Sequence, residues 1–200
     1  ATDPSTYQTV RGSANYSTVV ENVARLVEIR DAARSPLRIR LSHIMAKYNY
    51  RCMPDAVKLA AELGVDEILF HSVVGFGNNT LNMPAQCLYD DAETVSFLED
   101  AKAQAPPSLK VSVQPLYNRS GPVPACREPF SSTGVNSRGD VNPCCLLPTD
   151  GRWGNAFNGT GWNSPALNAF RATLLRGRLP IPELCPYCPA SHPHPHRRIE

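Results

Sequence analysis

The chain has 200 residues, of which 42% are hydrophobic and 19% are charged, as is typical of a globular protein with a sizeable core. Its formal net charge of +2 is too small to indicate a phosphate-binding surface, so nucleic acid is not an expected partner. No apolar run approaches the roughly 20 residues that a membrane-spanning helix needs, so a membrane is not expected either.

Seven cysteines are the strongest signal in the composition. Four Asn-X-Ser/Thr sites, at Asn15, Asn78, Asn118 and Asn158, would suit a secreted glycoprotein whose cysteines pair as disulfides. The cysteine number is odd, however, and no export signal is visible. We therefore favour a cytoplasmic chain with reduced thiols over a secreted one.

The first predicted elements are a loop and a helix. Residues 1–4 are typical of a loop, and the chain does not begin with methionine, so we expect a piece of a longer protein. Thr18 and Glu21 have the spacing of a capping box, and apolar residues then recur at helical spacing. A helix is predicted over about 18–33.

Strand and helix patterns then alternate. The alternating apolar residues of 37–41 predict a strand. Pro54 is placed in the first turn of the next helix, and Gly64 is placed to end it. The apolar run 68–70 is typical of a strand that is covered on both faces.

A long loop rich in glycine and asparagine, about 75–89, precedes the third helix-and-strand pair. Asp90 and Glu93 form a candidate capping box for the helix, and the alternation over 109–113 predicts the strand. Strands separated by helices favour parallel pairing with right-handed crossovers. The first half is therefore α/β, in a pattern that open sheets and barrels share.

Near Pro115 the composition changes to one rich in proline, glycine, asparagine and cysteine, with one clear helix. Asn163 or Ser164 caps that helix, Pro165 lies in its first turn and Gly177 is placed to stop it. Its predicted apolar stripe consists of Leu167, Phe170, Leu174 and Leu175. A segment so poor in regular structure rarely folds unaided, and a metal site is one remedy.

Four cysteines have a spacing that suits such a site. Cys185 and Cys188 form a C-x-x-C turn, and Cys126 and Cys144 lie upstream. Gly139 suits a tight turn between two short strands that would bring Cys144 beside Cys126. Ligation by thiolates alone selects zinc or iron–sulfur, and the spacing leaves both open.

Motifs along this second half occur in a recognisable order. They are Cys126, the segment Gly139 to Cys145, Gly154-Asn155, Trp162 to Pro165, Arg171, Leu174, Gly177, and Cys185-x-x-Cys188. The arrangement resembles the SPASM/twitch domain of radical S-adenosylmethionine (SAM) enzymes.

The first half is similar to the second half of that family's partial (β/α)6 barrel. The matching positions are Tyr7, Arg11-Gly12, Asn15-Tyr16, Val20, Asn22, Leu26 and the segments 37–41 and 63–66. The resemblance implies the C-terminal half of a partial, TIM-like barrel with parallel strands over 1–115. A small SPASM/twitch domain over 116–190 and a disordered tail over 191–200 would follow.

The resemblance also implies a cofactor and its ligands. In the family this domain holds an auxiliary [4Fe–4S] cluster, a role carried here to Cys126, Cys144, Cys185 and Cys188. The longer form of the domain continues with further cysteines, whereas this sequence has none after Cys188, so one cluster is expected. Four protein thiolates would leave no iron open to substrate, which favours electron transfer or structural support. Arg11 matches a family position that reaches the SAM carboxylate, a task that suits a guanidinium.

One family motif is missing. The C-x3-C-x2-C that binds the catalytic cluster does not occur, so this chain alone would not cleave SAM. We expect a fragment whose partner is the missing N-terminal half of the barrel, rather than a degenerate relative. The complete enzyme would modify a peptide or a small molecule by radical chemistry. A non-catalytic peptide-binding module and a zinc-stabilised scaffold are the alternatives, so whether the chain is part of an enzyme stays open.

Three polar residues, His43, Asn49 and His71, lie at or just beyond strands that would line the mouth of a barrel, where sites gather. For each of them we expect a structural role, as a core or surface polar residue with satisfied hydrogen bonds, rather than a functional one. The His-Pro repeat at 192–196 could bind a metal weakly, but a disordered tail is favoured.

The remaining three cysteines are not expected to be ligands. Cys145 neighbours Cys144 and could exchange roles with it, but the glycine spacing selects Cys144, and Cys145 is expected to be a buried thiol. Cys52 and Cys87 have no partner at metal-binding spacing and are expected to be buried or incidental.

Overall fold

The computed structural model describes residues 2–74, 83–122, 126–182 and 184–192, and these form two compact units. The sheet unit contains residues up to 73 together with 86–116, and the cysteine unit contains 74–85 and 117–196, each as far as they are described. The predicted loop over 75–89 and the predicted tail therefore lie partly outside the described residues. Within these residues, no helix is both long enough and apolar enough to cross a membrane.

The sheet unit begins with a helix that the sequence analysis missed. Helix α1 spans Pro4–Arg11, whereas the sequence predicted a loop over 1–4 and no helix before about residue 18. The Asp3 carboxylate caps it by accepting a hydrogen bond from the Thr6 amide at 2.9 Å, and Pro4 occupies the first turn. Gly12 ends the helix in the left-handed conformation, with φ of 66°.

Helix α2 spans Tyr16–Ala32 and confirms the second predicted element, although not its capping box. The helix begins before Thr18, and the residue at its N-terminal boundary, Asn15, makes no side-chain capping bond. Strand β1 follows at Arg40–Met45, three residues later than predicted. The amide of Ile39 donates to the Asp66 carboxylate at 2.7 Å instead of to a neighbouring strand, so the ladder begins only at residue 40.

The remaining elements of the sheet unit follow the predicted order. They are α3 (Met53–Glu62), β2 (Glu67–Ser72), α4 (Ala92–Ala103) and β3 (Lys110–Val113). Pro54 lies in the first turn of α3, as predicted. The cap of α4 is Asp91, which accepts from the Thr94 amide at 3.0 Å, one residue later than the predicted capping box.

Among the described residues, three parallel strands form one sheet in the order β1-β2-β3. His43 pairs with Phe70 between β1 and β2, and Ile68 pairs with Val111 between β2 and β3. The parallel pairing predicted from the alternation of strands and helices is confirmed. The core consists mainly of apolar side chains from the sheet and helices α3 and α4.

The cysteine unit has little regular structure. Its elements are α5 (Glu128–Ser131), the antiparallel pair β4 (Gly134–Val135) and β5 (Val141–Asn142), and α6 (Pro165–Leu175). Ser164 caps α6 by accepting from the Leu167 amide at 3.1 Å, as predicted. Leu174 is buried, but Leu175 is 78% exposed, so the predicted stripe is wrong there: adjacent helical residues point about 100° apart.

Candidate metal centre

The four predicted ligands occupy the ends of short elements in the cysteine unit. Cys126 lies two residues before α5, and Cys144 lies two residues after β5. Cys185 begins a 3-10 turn, Cys185–Tyr187, and Cys188 follows it directly. All four side chains are half-buried.

The turn between β4 and β5 has the tight geometry that the sequence analysis expected of Gly139. This glycine has φ of 82°, and its amide donates to the Asn136 carbonyl at 2.9 Å. The Asp140 carboxylate accepts from the side-chain amides of Asn136 and Asn155, both at 3.1 Å. These bonds, with that from Arg138, hold the pKa of Asp140 below its ordinary value.

Asn142 links the hairpin to the turn that carries Cys144. Its buried side chain accepts from the Gly134 amide at 3.0 Å and donates to the Leu147 carbonyl and the Thr149 hydroxyl, both at 3.1 Å. In the sequence, Asn142 stands out only as part of a motif. Its role in fixing the segment after β5 depends on contacts that spacing does not reveal.

Arg171 links α6 to the segment after Cys126. Its Nε donates to the Pro129 carbonyl and its Nη1 to the Trp162 carbonyl, both at 2.7 Å. The guanidinium carbon also lies 4.2 Å from the centre of the Trp162 ring. This buried arginine therefore holds α5, just after the first cysteine, against the longest helix of the unit.

The thiols of the four cysteines share one electrostatic environment. Burial, with smaller contributions from the charges of Cys126, Cys144 and Cys185, raises the pKa of Cys188 to about 11. Burial likewise raises the pKa of Cys126 and of Cys144, with smaller contributions from neighbouring thiols. Since a cation is bound by thiolates, its uptake by these thiols would release protons.

Backbone amides oppose this rise in pKa by donating to the sulfurs. The donors are Glu128 for Cys126, Leu146 and Leu147 for Cys144, and Ala190 for Cys188. Hydrogen bonds to the sulfurs are one means by which proteins tune iron–sulfur clusters. In donor chemistry the site fits a thiolate-bound metal centre. Among the described residues, however, no group of three or more His, Cys, Asp or Glu side chains is arranged to hold a metal ion.

The other cysteines differ from one another in exposure. Cys145 is exposed, so the prediction that it is a buried thiol is wrong. The turn after β5 places it at the surface, yet its charge still raises the pKa of Cys126 and Cys144. In the sheet unit Cys52 is half-buried, and Cys87 is buried with its sulfur 4.0 Å from the Val73 carbonyl oxygen.

The sheet unit has a cavity of about 190 Å³ between α1, α2 and β1. Arg11, His43 and Asn49 line it, whereas His71 is not among the lining residues. Burial lowers the pKa of His43 to about 4, with only a small contribution from the Arg11 charge, so its imidazole is neutral at pH 7. Asn49 accepts from the Ala46 amide at 2.7 Å and donates to the Ile44 carbonyl at 2.9 Å, which is a satisfied structural role.

Comparison with known proteins bears on the cysteine unit. Residues 126–189 match the family model SPASM, described as an iron-sulfur cluster-binding domain. The match begins at Cys126 and includes all four predicted ligands. No curated protein matches the chain. Residues 126–189 are therefore similar to the SPASM iron–sulfur cluster-binding domain.

Proposed function

We propose that Cys126, Cys144, Cys185 and Cys188 bind one auxiliary [4Fe–4S] cluster in the C-terminal part of a radical SAM enzyme. The observation that carries this proposal is the match to an iron–sulfur domain that includes all four cysteines. The amide donors at three of the sulfurs, and the electrostatic influence of these thiols on one another, support it. Thiolate ligands need reduced cysteines, which favours a reducing compartment such as the cytoplasm.

The donor set favours a supporting role in catalysis. When bound, such a cluster supplies one-electron transfer. Four cysteine ligands leave no coordination position for substrate, so the residues of this unit would hold the centre and restrict the access of water to it. The modified substrate would be a peptide or a small molecule bound elsewhere in the complete enzyme.

The sheet unit would form the later βα units of the partial barrel. Arg11 would bind the carboxylate of SAM. It is the last residue of α1, it is exposed, and it lines the cavity beside β1. The neutral imidazole of His43 adds no positive charge there at pH 7, so Arg11 would be the cation that an anionic group meets.

Metal analysis tests the cluster directly. We expect the protein purified without oxygen to be brown, to absorb at roughly 400 nm, and to contain about four irons and four sulfides per chain, as one cubane requires. Colourless protein with about one zinc per chain would instead establish the zinc-stabilised scaffold.

Replacement of Arg11 tests the SAM contact. In the complete enzyme, whose reading frame is expected to encode a C-x3-C-x2-C motif upstream of residue 1, Arg11→Ala should weaken SAM binding about 10- to 100-fold. This is the range for losing a charge-assisted, bidentate contact. Arg25→Ala, which removes an exposed arginine from α2, is the matched control in a calorimetric titration. Equal affinities for the two variants, or a reading frame that starts near Ala1, would contradict the proposal.

A further inference from the structure

Two buried side chains hold the turn between Cys185 and Cys188. Tyr117 is fully buried and His192 is 1% exposed, and both belong to the cysteine unit. They contact the backbone carbonyls of Pro186 and Tyr187, the two residues between these cysteines. His192 and its neighbour Ser191 are the first two described residues of the segment for which the sequence predicted a disordered tail, and both are buried.

Tyr117 fixes the second of the two carbonyls. Its hydroxyl donates to the Tyr187 carbonyl oxygen at 2.6 Å, across 70 residues of sequence. Its ring packs edge-on against the His192 ring, with the ring centres 4.9 Å apart. A buried tyrosine normally finds a partner for its hydroxyl. Here that partner is the backbone immediately before Cys188.

His192 fixes the first carbonyl, and its partners define its tautomer. The Asn118 amide donates to Nδ1 at 2.9 Å, so Nδ1 carries no proton. Nε2 lies 2.9 Å from the Pro186 carbonyl oxygen, which can only accept, so Nε2 carries the proton and donates. Neither nitrogen has a lone pair left for a metal, which argues against His192 as a ligand.

The backbone of the turn is held at further points. The Cys188 amide donates to the Cys185 carbonyl at 3.2 Å, and the Ser191 amide donates to the Cys188 carbonyl at 3.0 Å. With the carbonyls of Pro186 and Tyr187 also engaged, the peptide groups between the two cysteines have little freedom to rotate. The backbone positions from which the two cysteine side chains project are therefore constrained.

We propose that Tyr117 and His192 are positioning residues that hold the Cys185–Cys188 turn in the geometry for cluster ligation. The inference rests on the proposed function and adds to it two residues that do not touch the cluster. Residues beyond the direct ligands commonly orient them, and their replacement typically costs 10- to 100-fold in metal affinity.

The test compares the variants Tyr117→Phe, His192→Leu and His192→Gln in the intact protein. Tyr117→Phe removes only a hydroxyl, and His192→Leu removes both hydrogen bonds. Gln can place a donor near the former Nε2 position. Ser72→Ala is the matched control, since it removes a buried hydroxyl that donates to the Pro115 carbonyl at 2.9 Å in the sheet unit.

The readouts are the rate of iron release to EDTA and the EPR spectrum of the reduced protein. We expect iron release to be about 10-fold faster in Tyr117→Phe and His192→Leu than in the wild type, and the EPR spectrum of both to be altered. In His192→Gln the release rate and the spectrum should lie closer to those of the wild type. Ser72→Ala should behave as the wild type in both measurements. If His192→Leu does not fold, the result for Tyr117→Phe alone tests the positioning role.

The possible failures are distinguishable. Wild-type protein without iron and sulfide would overturn the proposed function and this inference together. Wild-type protein with a cluster, and a Tyr117→Phe variant with the same release rate and spectrum, would overturn only the positioning role. Equal effects in Tyr117→Phe and Ser72→Ala would also overturn it, because the loss would then reflect general stability.

Discussion

Replacement of Cys188 by serine is expected to reduce the iron content of anaerobically purified protein from about four atoms per chain to a trace. Burial and the charges of the other three predicted ligands raise the pKa of the Cys188 thiol to about 11. A serine hydroxyl at this position would stay protonated and would not replace a thiolate. We expect the loss to be larger than for any change outside the four ligands.

Two other cysteines provide the controls for this experiment. Cys52→Ser changes a half-buried thiol of the sheet unit and should leave the iron content unchanged. Cys145→Ser changes the exposed neighbour of Cys144 and should also retain iron. Iron lost in Cys145→Ser and retained in Cys144→Ser would contradict the choice of ligand, and full retention in Cys188→Ser would contradict the four-cysteine site.

Replacement of Gly154 by alanine is expected to destabilise the cysteine unit by about 3 kcal/mol or more. Gly154 has φ of 115°, a conformation that residues with a side chain rarely adopt. An added methyl carbon would lie 2.5 Å from the Thr160 carbonyl oxygen and 2.9 Å from the Ser164 Cβ. The Gly154 carbonyl also accepts from the Val141 amide at 3.0 Å, so the strain would reach the strand before Cys144.

Gly159→Ala is the matched control. Gly159 also has a positive φ, of 78°, but an added methyl carbon there would have no atom within 4 Å. We expect it to lose only about 1 kcal/mol, from backbone strain alone. Unfolding in urea under anaerobic conditions measures both variants. Similar losses for the two would show that the close approach of Thr160 to Gly154 has no energetic consequence.

The sequence predicted helices correctly where a capping residue or a proline stands at the start of an apolar pattern. Pro54 and Ser164 mark the starts of α3 and α6, and α6 buries the apolar stripe that the spacing predicted, apart from Leu175. The same kind of signal was overlooked at Asp3, which caps α1 one residue before a proline. That error was one of interpretation, because the capping residue and the proline were both present.

Features that depend on contacts between residues far apart in the chain could not be predicted from the sequence. Motif order pointed to Cys126, Cys144, Cys185 and Cys188, whereas Tyr117 and His192 gave no comparable signal. Their partners lie 70 and 74 residues away, and only the folded chain brings these groups together. The surface position of Cys145 likewise follows from the turn after β5 and not from its neighbours in sequence.

The wide separation of the cysteines has a consequence for the lifetime of the protein. Ligation from Cys126 to Cys188 would join points about sixty residues apart. By the loop-entropy relation for disulfide cross-links, closing a loop of that length removes about 4 kcal/mol of chain entropy from the unfolded state. Newly made chains without iron would lack this restraint and would open to proteases more often. The cellular abundance of the protein would then follow the supply of iron, even with constant synthesis.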